Sequence, residues 1–478
     1  MTSAVLAAAV GLLTAVTGAL AAWLVVMHRF PGRDLFTWAL ALPLAMPAFA
    51  VAYGYADLLD VAGPLRTGLR EATGQDLPFE IRSTGGAAVV LSAAFYPYVF
   101  LAMRAALLNL PGSALEAARM LGCTGASAFF RVALPLTRPA LGAGVALAVM
   151  ETLADYGAVH FLSVQTLTTG VVRAWSVFGS TASAARFALP LLAAAAVLLW
   201  IERAGRRGRV HETGKTRWRA PEPSRLGPAA GLAATCFCLL LLSAGLLIPA
   251  GWLLANLDAQ APDWARLAVA ARNSLLLAAT GGLVTVMLAT FLALGGDRAP
   301  LAVRLASLGY ATPGAVMAIG LLAPAGIVWG LAPGSGAGVA LGLLVLAYAA
   351  RLMAAALEPI DAGLARINPA LVQAARTLGR GEAASALAVR LPLARGALLT
   401  AGLVVGVDIL KELPATLVLR PFNFDTLAVI ASNYALDERL GQAGPPSLMI
   451  LFLSLPAVIW LTARISASAP APRQEARP

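Results

Sequence analysis

An all-α polytopic membrane protein, with about eleven spanning helices in two successive units, is the fold class this sequence predicts. Three observations carry it. Of the 478 residues, 59% are hydrophobic and 12% charged, with a mean hydropathy of +0.79, which leaves too little polar surface to cover a soluble globule of this length. Apolar runs of bilayer length, about 20 residues, recur along the chain. Their Ala, Leu, Val and Gly content at that length points to helices rather than to the shorter, alternating strands of a barrel. Finally, one pattern occurs twice at a constant offset: Glu116-Ala117-Ala118, Gly122, Val132, Leu134 and Pro135 return as Gln373-Ala374-Ala375, Gly379, Val389, Leu391 and Pro392. Spacing that strict marks a duplicated unit.

Taken in order, spans are expected at 4–27, 35–57, 86–109, 139–160 and 187–202 in the first half. The second half is expected to hold six, at 228–256, 273–296, 305–330, 336–356, 397–418 and 447–463. Residues 4–27 follow no basic n-region and no A-x-A site, so they read as a retained span with residue 1 outside. Pro43, Pro47 and Pro313 fall inside spans and are expected to kink them. Each copy of the repeated pattern reads as a short helix, a Gly break and a second short helix stopped by Leu-Pro. Ser113-x-x-Glu116 is a capping box for the first helix in copy one, and Asn368 followed by Pro369 starts it in copy two. Gly122 and Gly379 stand where a left-handed residue ends that helix.

Between the halves, Glu202 to Arg225 is basic and contains Pro. The expected organisation is a first domain at 1–202 with its loop at 113–135, a connector at 203–227, a second domain at 228–466 with its loop at 370–392, and a tail at 467–478. Placing both loops in the cytoplasm fixes every other connection by alternation. That puts 25 of the 35 Lys and Arg on the cytoplasmic side, in accord with the positive-inside rule. The net charge of +11 therefore follows topology and forms no basic patch with interleaved aromatics, so nucleic acid is excluded as a partner. Gly214-Lys215-Thr216 matches the end of a phosphate loop, but Arg209 stands at its first Gly and no strand precedes it. No nucleotide site, cofactor site or firm metal site is expected on this chain, and it should catalyse no covalent chemistry. Cys123, Cys236 and Cys238 read as small packing residues.

The E-A-A, Gly and L-P pattern resembles the cytoplasmic EAA loop of importer-type ABC permeases. The resemblance implies two fused MetI-like permease domains in a bacterial inner membrane. It further implies that Glu116, Ala117, Ala118, Gly122, Leu134 and Pro135, with Gln373, Ala374, Ala375, Gly379, Leu391 and Pro392, dock two separate ATPase subunits that hydrolyse ATP. Copy two carries Gln373 where the family usually has Glu. Met150 to Gly157 with Val164 to Gly170, and the run Lys411 to Ala428 with Asp437-Glu438-Arg439, are similar to the two halves of ferric-iron ABC permeases. This implies iron transport from a periplasmic binding protein, with the outer segment Pro421 to Ser447 as its expected contact. Thiamine and phosphonate permeases share the architecture and stay open as alternatives, as does a secondary transporter, which the paired loops and parallel repeats disfavour.

The residues themselves point to the same helices. Glu151 and Asp155 match Asp408 and Glu412 under the constant offset, so each half carries two acids four apart, expected on one face of an intramembrane helix. Lys411 is the one intramembrane amine expected to pair with them. These five residues are candidates either for the translocation path, where carboxylates suit a hard cation, or for a buried ion-pair network. Asp155 and Glu412 are expected to be the more exposed pair. His160 reads as a structural or interfacial group.

Overall fold

The computed structural model describes residues 1–467 apart from 77, 111, 207–222, 258–261, 296–299, 310–311 and 332–335. The middle of the connector, including Gly214-Lys215-Thr216, and nearly all of the tail lie outside the described residues.

In chain order the first half comprises α1 (Thr2–Met27), β1 (His28–Arg29), α2 (Arg33–Ala39), α3 (Ala48–Leu59), α4 (Pro64–Thr73), α5 (Thr84–Leu108), α6 (Gly112–Met120), α7 (Gly125–Ala128), α8 (Leu134–Ala154), α9 (Gly157–Phe161), α10 (Leu167–Ser176) and α11 (Thr181–Arg206). After β2 (Ser224–Arg225) come α12 (Pro228–Leu242), α13 (Ile248–Ala255), α14 (Trp264–Gly295), α15 (Pro300–Leu308), α16 (Gly314–Leu331), α17 (Gly336–Ala365), α18 (Pro369–Thr377), α19 (Glu382–Ser385), α20 (Leu391–Leu410), α21 (Pro414–Leu419), α22 (Leu427–Leu436) and α23 (Leu440–Ala467). Helix dominates because in hydrocarbon a backbone must satisfy its own hydrogen bonds. β1 and β2 form a single parallel two-residue bridge.

Among the described residues nine helices are long and apolar enough to cross a bilayer, and ten if the bent pair Arg33–Ala45 and Ala48–Thr73 counts as one span. The difference from eleven lies at two places. The expected span 35–57 turns through 90°, because Pro43 sits in a 3-10 turn and Pro47 holds an extended ψ of 138° as the N-cap of α3. These prolines break the helix rather than kink it. The expected span 305–330 falls on two helices, α15 and α16, with Pro313 just ahead of the second.

The chain packs as two units that cut across the sequence halves. Unit 1 takes Met1–Thr166, Ala194–Leu257 and Val458–Pro478, and unit 2 takes Leu167–Ala193 and Asp258–Ala457. The helices α12 and α13, expected to open the second domain, thus belong to unit 1, α12 beside α1 and α2 and α13 beside α3. There Trp252 Nε1 donates to Asp57 at 2.8 Å and the Tyr55 hydroxyl donates to the Ala244 carbonyl at 2.8 Å. Gly54 permits this approach, since a Cβ on it would lie 3.1 Å from the Pro249 Cα. Conversely, α10 belongs to unit 2, where Trp175 packs on a core that includes Leu344, Tyr348, Leu352, Val405 and Ile409. In unit 1 the centre is the packing of α1, α5 and α8, with Gly18 and Gly144 both closing on α5 around Val99.

Candidate functional site

The two repeated loops fold alike. In copy one, α6 ends at Gly122 with φ +79°, and Cys123 N donates to Ala118 O at 2.9 Å. In copy two, α18 ends at Gly379 with φ +81°, and Arg380 N donates to Ala375 O at 3.1 Å. Both are left-handed glycine turns that satisfy a late carbonyl of the helix. Neither glycine has a neighbour within 4 Å of a hypothetical Cβ, so backbone conformation, and not crowding, demands glycine there. Asn368 caps α18 by accepting from Ala370 N at 3.0 Å. In copy one the helix already begins at Gly112, so Ser113 lies inside its first turn and not ahead of it as a capping residue.

Leu-Pro does not stop a helix in either copy. The chain passes through a π turn, Phe129–Ala133 or Ala386–Arg390, straight into the long helices α8 and α20. Leu134 N reaches Phe129 O and Leu391 N reaches Ala386 O, one residue wider than an α-helical bond. That widening lets Pro135 and Pro392 enter, since proline lacks an N–H and its ring would strike the carbonyl four residues back. The spanning helices therefore start at Gly125 and Glu382, well before the expected 139 and 397.

Glu116 and Ala117, like Gln373 and Ala374, are exposed, while Ala118 and Ala375 are buried. The structure adds residues that the pattern did not single out. Leu121 is 85% exposed and its equivalent Leu378 82%, and Phe130 and Leu387 are each 65% exposed. Leu136 and Leu393 are also exposed. The same apolar side chains stand out in both copies, a signal that was available in the offset, where Leu121 meets Leu378 and Leu136 meets Leu393.

The acids sit at helix breaks, which corrects the expectation of one helical face. In unit 1, α8 ends at Ala154, and Asp155 takes an extended ψ of 134°. Its carboxylate then caps α9, accepting from Val159 N at 3.0 Å. Unit 2 repeats the arrangement at the equivalent position: α20 ends at Leu410, and Glu412 caps α21. Its oxygens accept from Ala415 N at 3.0 Å, Thr416 N at 3.1 Å and the Thr416 hydroxyl at 2.9 Å. Arg351 Nη1 completes the set at 3.2 Å, and the Tyr348 and Thr416 hydroxyls lie 2.6 Å apart. Arg351, which the sequence reading did not single out, is midway along α17, so Lys411 is not the sole intramembrane cation. Lys411 pairs with one of the four expected acids, Asp408, at 2.9 Å. In unit 2 the expected order of exposure is reversed, the Glu412 side chain being 1% exposed and that of Asp408 18%. Glu151 and Asp155 are both half-buried, and His160 is exposed with its ring stacked on Tyr156 at 5.0 Å. No group of three or more His, Cys, Asp or Glu able to hold a metal occurs among the described residues.

The outer segment after α21 is anchored at its start. Arg420 pairs with Asp425, Arg266 lies 3.4 Å from the same carboxylate, and Asn273 Nδ2 donates to Asp425 O at 3.0 Å. Beyond it, Asp437, Glu438 and Arg439 are exposed, beside a cavity of about 320 Å³ lined by Arg266, Asn433, Tyr434 and Arg439. Phe422 projects almost fully into solvent.

Comparison with known proteins places this geometry. Residues 14–204 match the family described as binding-protein-dependent transport system inner membrane component. The chain is 24% identical to an Fe(3+)-transport system permease protein of Haemophilus influenzae over 460 residues, which are 92% of this chain and 85% of that protein. It is 32% identical to the molybdenum transport system permease protein of Escherichia coli over 200 residues, 39% of this chain and 86% of that protein. It is 35% identical to the sulfate transport system permease protein of Salmonella typhimurium over 151 residues, 31% of this chain and about half (52%) of that protein.

Proposed function

We propose, from the premise that this chain belongs to the family of binding-protein-dependent transport system inner membrane components, that its cargo is ferric iron. Its coarser role follows from the family: it is a multi-pass inner-membrane permease subunit of an ABC importer and not itself a catalytic subunit. The observation that carries the finer reading is the extent of the match to the Fe(3+) permease, which takes in both halves of this chain. The sulfate and molybdenum permeases each match a third or so of it. The run Lys411 to Ala428, similar to the second half of ferric-iron permeases, supports the same reading.

In this account each exposed loop, with Leu121 and Phe130 or Leu378 and Leu387 at its crest, seats in a groove of one ATPase subunit, as short helices do in apolar grooves. Because the second short helix of each loop runs without interruption through its π turn into α8 or α20, a displacement of that part of the loop is carried along the helix to the break at Asp155 or Glu412. A binding protein delivers iron at the outer face, near the segment Pro421 to Ser447. Asp408 and Lys411, each about a fifth exposed beside the break, and Glu151 and Asp155 are the ionisable groups nearest the path. Glu412 holds α21 in place and does not meet cargo.

The test is import by proteoliposomes that contain this chain, its ATPase and its binding protein. ATP-dependent uptake of ferric iron, with none of sulfate or molybdate, is the expected result. Uptake of an oxyanion without iron would contradict the reading.

A further inference from the structure

We propose that the cytoplasmic end of unit 1 carries a binding site for the phosphate of an anionic phospholipid, formed by Arg29 and Arg225 across the β1–β2 bridge with Arg33 beside them. The bridge sets Arg29 directly opposite Arg225, so their side chains leave the same face. Like charges directly opposed weaken a strand pair. Arg33 is close enough to Arg29 and to Arg104 to be repelled by both. Asp34, 3.6 Å from Arg33 with a side chain 98% exposed, attracts Arg33 more than Arg29 repels it, so the uncompensated charge rests on Arg29 and Arg225.

Other contacts hold the two strands together against that repulsion. His28 Nδ1 and Ser224 Oγ lie 2.9 Å apart, Leu226 N donates to Arg29 O at 3.2 Å, and the Thr235 hydroxyl donates to Pro31 O at 2.8 Å. A phosphodiester is the anion whose oxygens match two guanidinium forks. Its source is a lipid because of where the bridge stands. It joins the end of α1 to the start of α12, on the side of the copy-one loop, where Trp23 of α1 lies 5.1 Å from Phe129 of the π turn. From the bridge, α12 runs away with Leu232, Leu239 and Leu240 exposed, an apolar track for an acyl chain below a basic headgroup site.

The inference depends on the orientation of the loops and not on the cargo. It is tested on the full chain in phosphatidylcholine nanodiscs with and without phosphatidylglycerol, by native mass spectrometry of retained lipid and by thermal melting. Wild type should retain phosphatidylglycerol and melt higher with it, and Arg29→Gln with Arg225→Gln should lower that affinity roughly thirtyfold. In phosphatidylcholine alone the double variant should melt no lower than wild type, because the repulsion is gone. Inorganic phosphate should not reproduce the gain. Equal retention and equal thermal gain in wild type and variant, or an equal gain from inorganic phosphate, would overturn the proposal. Arg225→Gln alone, outside any spanning helix, provides the same comparison where the double variant does not accumulate, and unchanged retention in it also overturns the proposal.

Discussion

Glu412 and Asp408 lie four residues apart, yet they face different energetics. Glu412 is enclosed with Arg351, two backbone amides and a hydroxyl, so Glu412→Gln removes a buried, fully hydrogen-bonded charge and weakens its bond to Arg351. A loss of about 3 kcal/mol is expected, read as a fall in denaturation midpoint in detergent. Asp408→Asn acts on a partly solvated i,i+3 pair and should lower stability by about 1 kcal/mol or less, with its main effect on cargo import. Equal destabilisation by the two changes would remove the distinction drawn between a structural and a path-facing acid. At the loops, Gly122→Val and Gly379→Val place a β-branched residue at φ near +80°. They should strain the turn by about 1–2 kcal/mol and lower transport-coupled ATP hydrolysis without removing the protein from the membrane. Wild-type hydrolysis and import in both variants would show that the left-handed turn does not shape the docking surface.

At the scale of elements, the spanning helices were legible because hydrocarbon selects for long apolar runs, and the glycine turns because only glycine is at ease at positive φ. The breaks at Asp155 and Glu412 were not legible. Two acids at i and i+4 fit a helical face equally well, and the choice was made by a carboxylate that caps the next helix instead. Nor was the Arg351 partnership, which joins residues 61 apart in sequence through the packing of α17 against the break. The role of Leu-Pro was misread for a related reason: proline ends a regular α-helix, while a π turn five residues long admits it. Pro135→Ala and Pro392→Ala should let that turn tighten toward regular α geometry and rotate the loop against its spanning helix. The expected outcome is ATP hydrolysis that persists but is less tightly coupled to import, measured as ATP consumed per cargo in proteoliposomes. An unchanged ratio would separate the π turn from coupling.

For the whole molecule, the duplication seen in sequence correctly described two similar loops, and its offset also pairs the two helix breaks that the sequence itself did not reveal. The contact units are a different partition, because α13 finds its partner on α3, α12 packs on α1 and α2, and α10 finds its own on the unit 2 core. Such exchanges are set by surfaces far apart in sequence, which no repeat pattern encodes. The central claim is that both loops grip an ATPase through the same exposed apolar crest. It is tested most directly by disulfide trapping in the assembled transporter, with Leu121→Cys and Leu378→Cys introduced one at a time, native cysteines replaced, and single cysteines placed along the groove of the ATPase subunit. The account predicts that each loop position cross-links to the same groove position and that the cross-link stops ATP-driven import. Cross-linking from only one loop, or from neither while import proceeds normally, would contradict it.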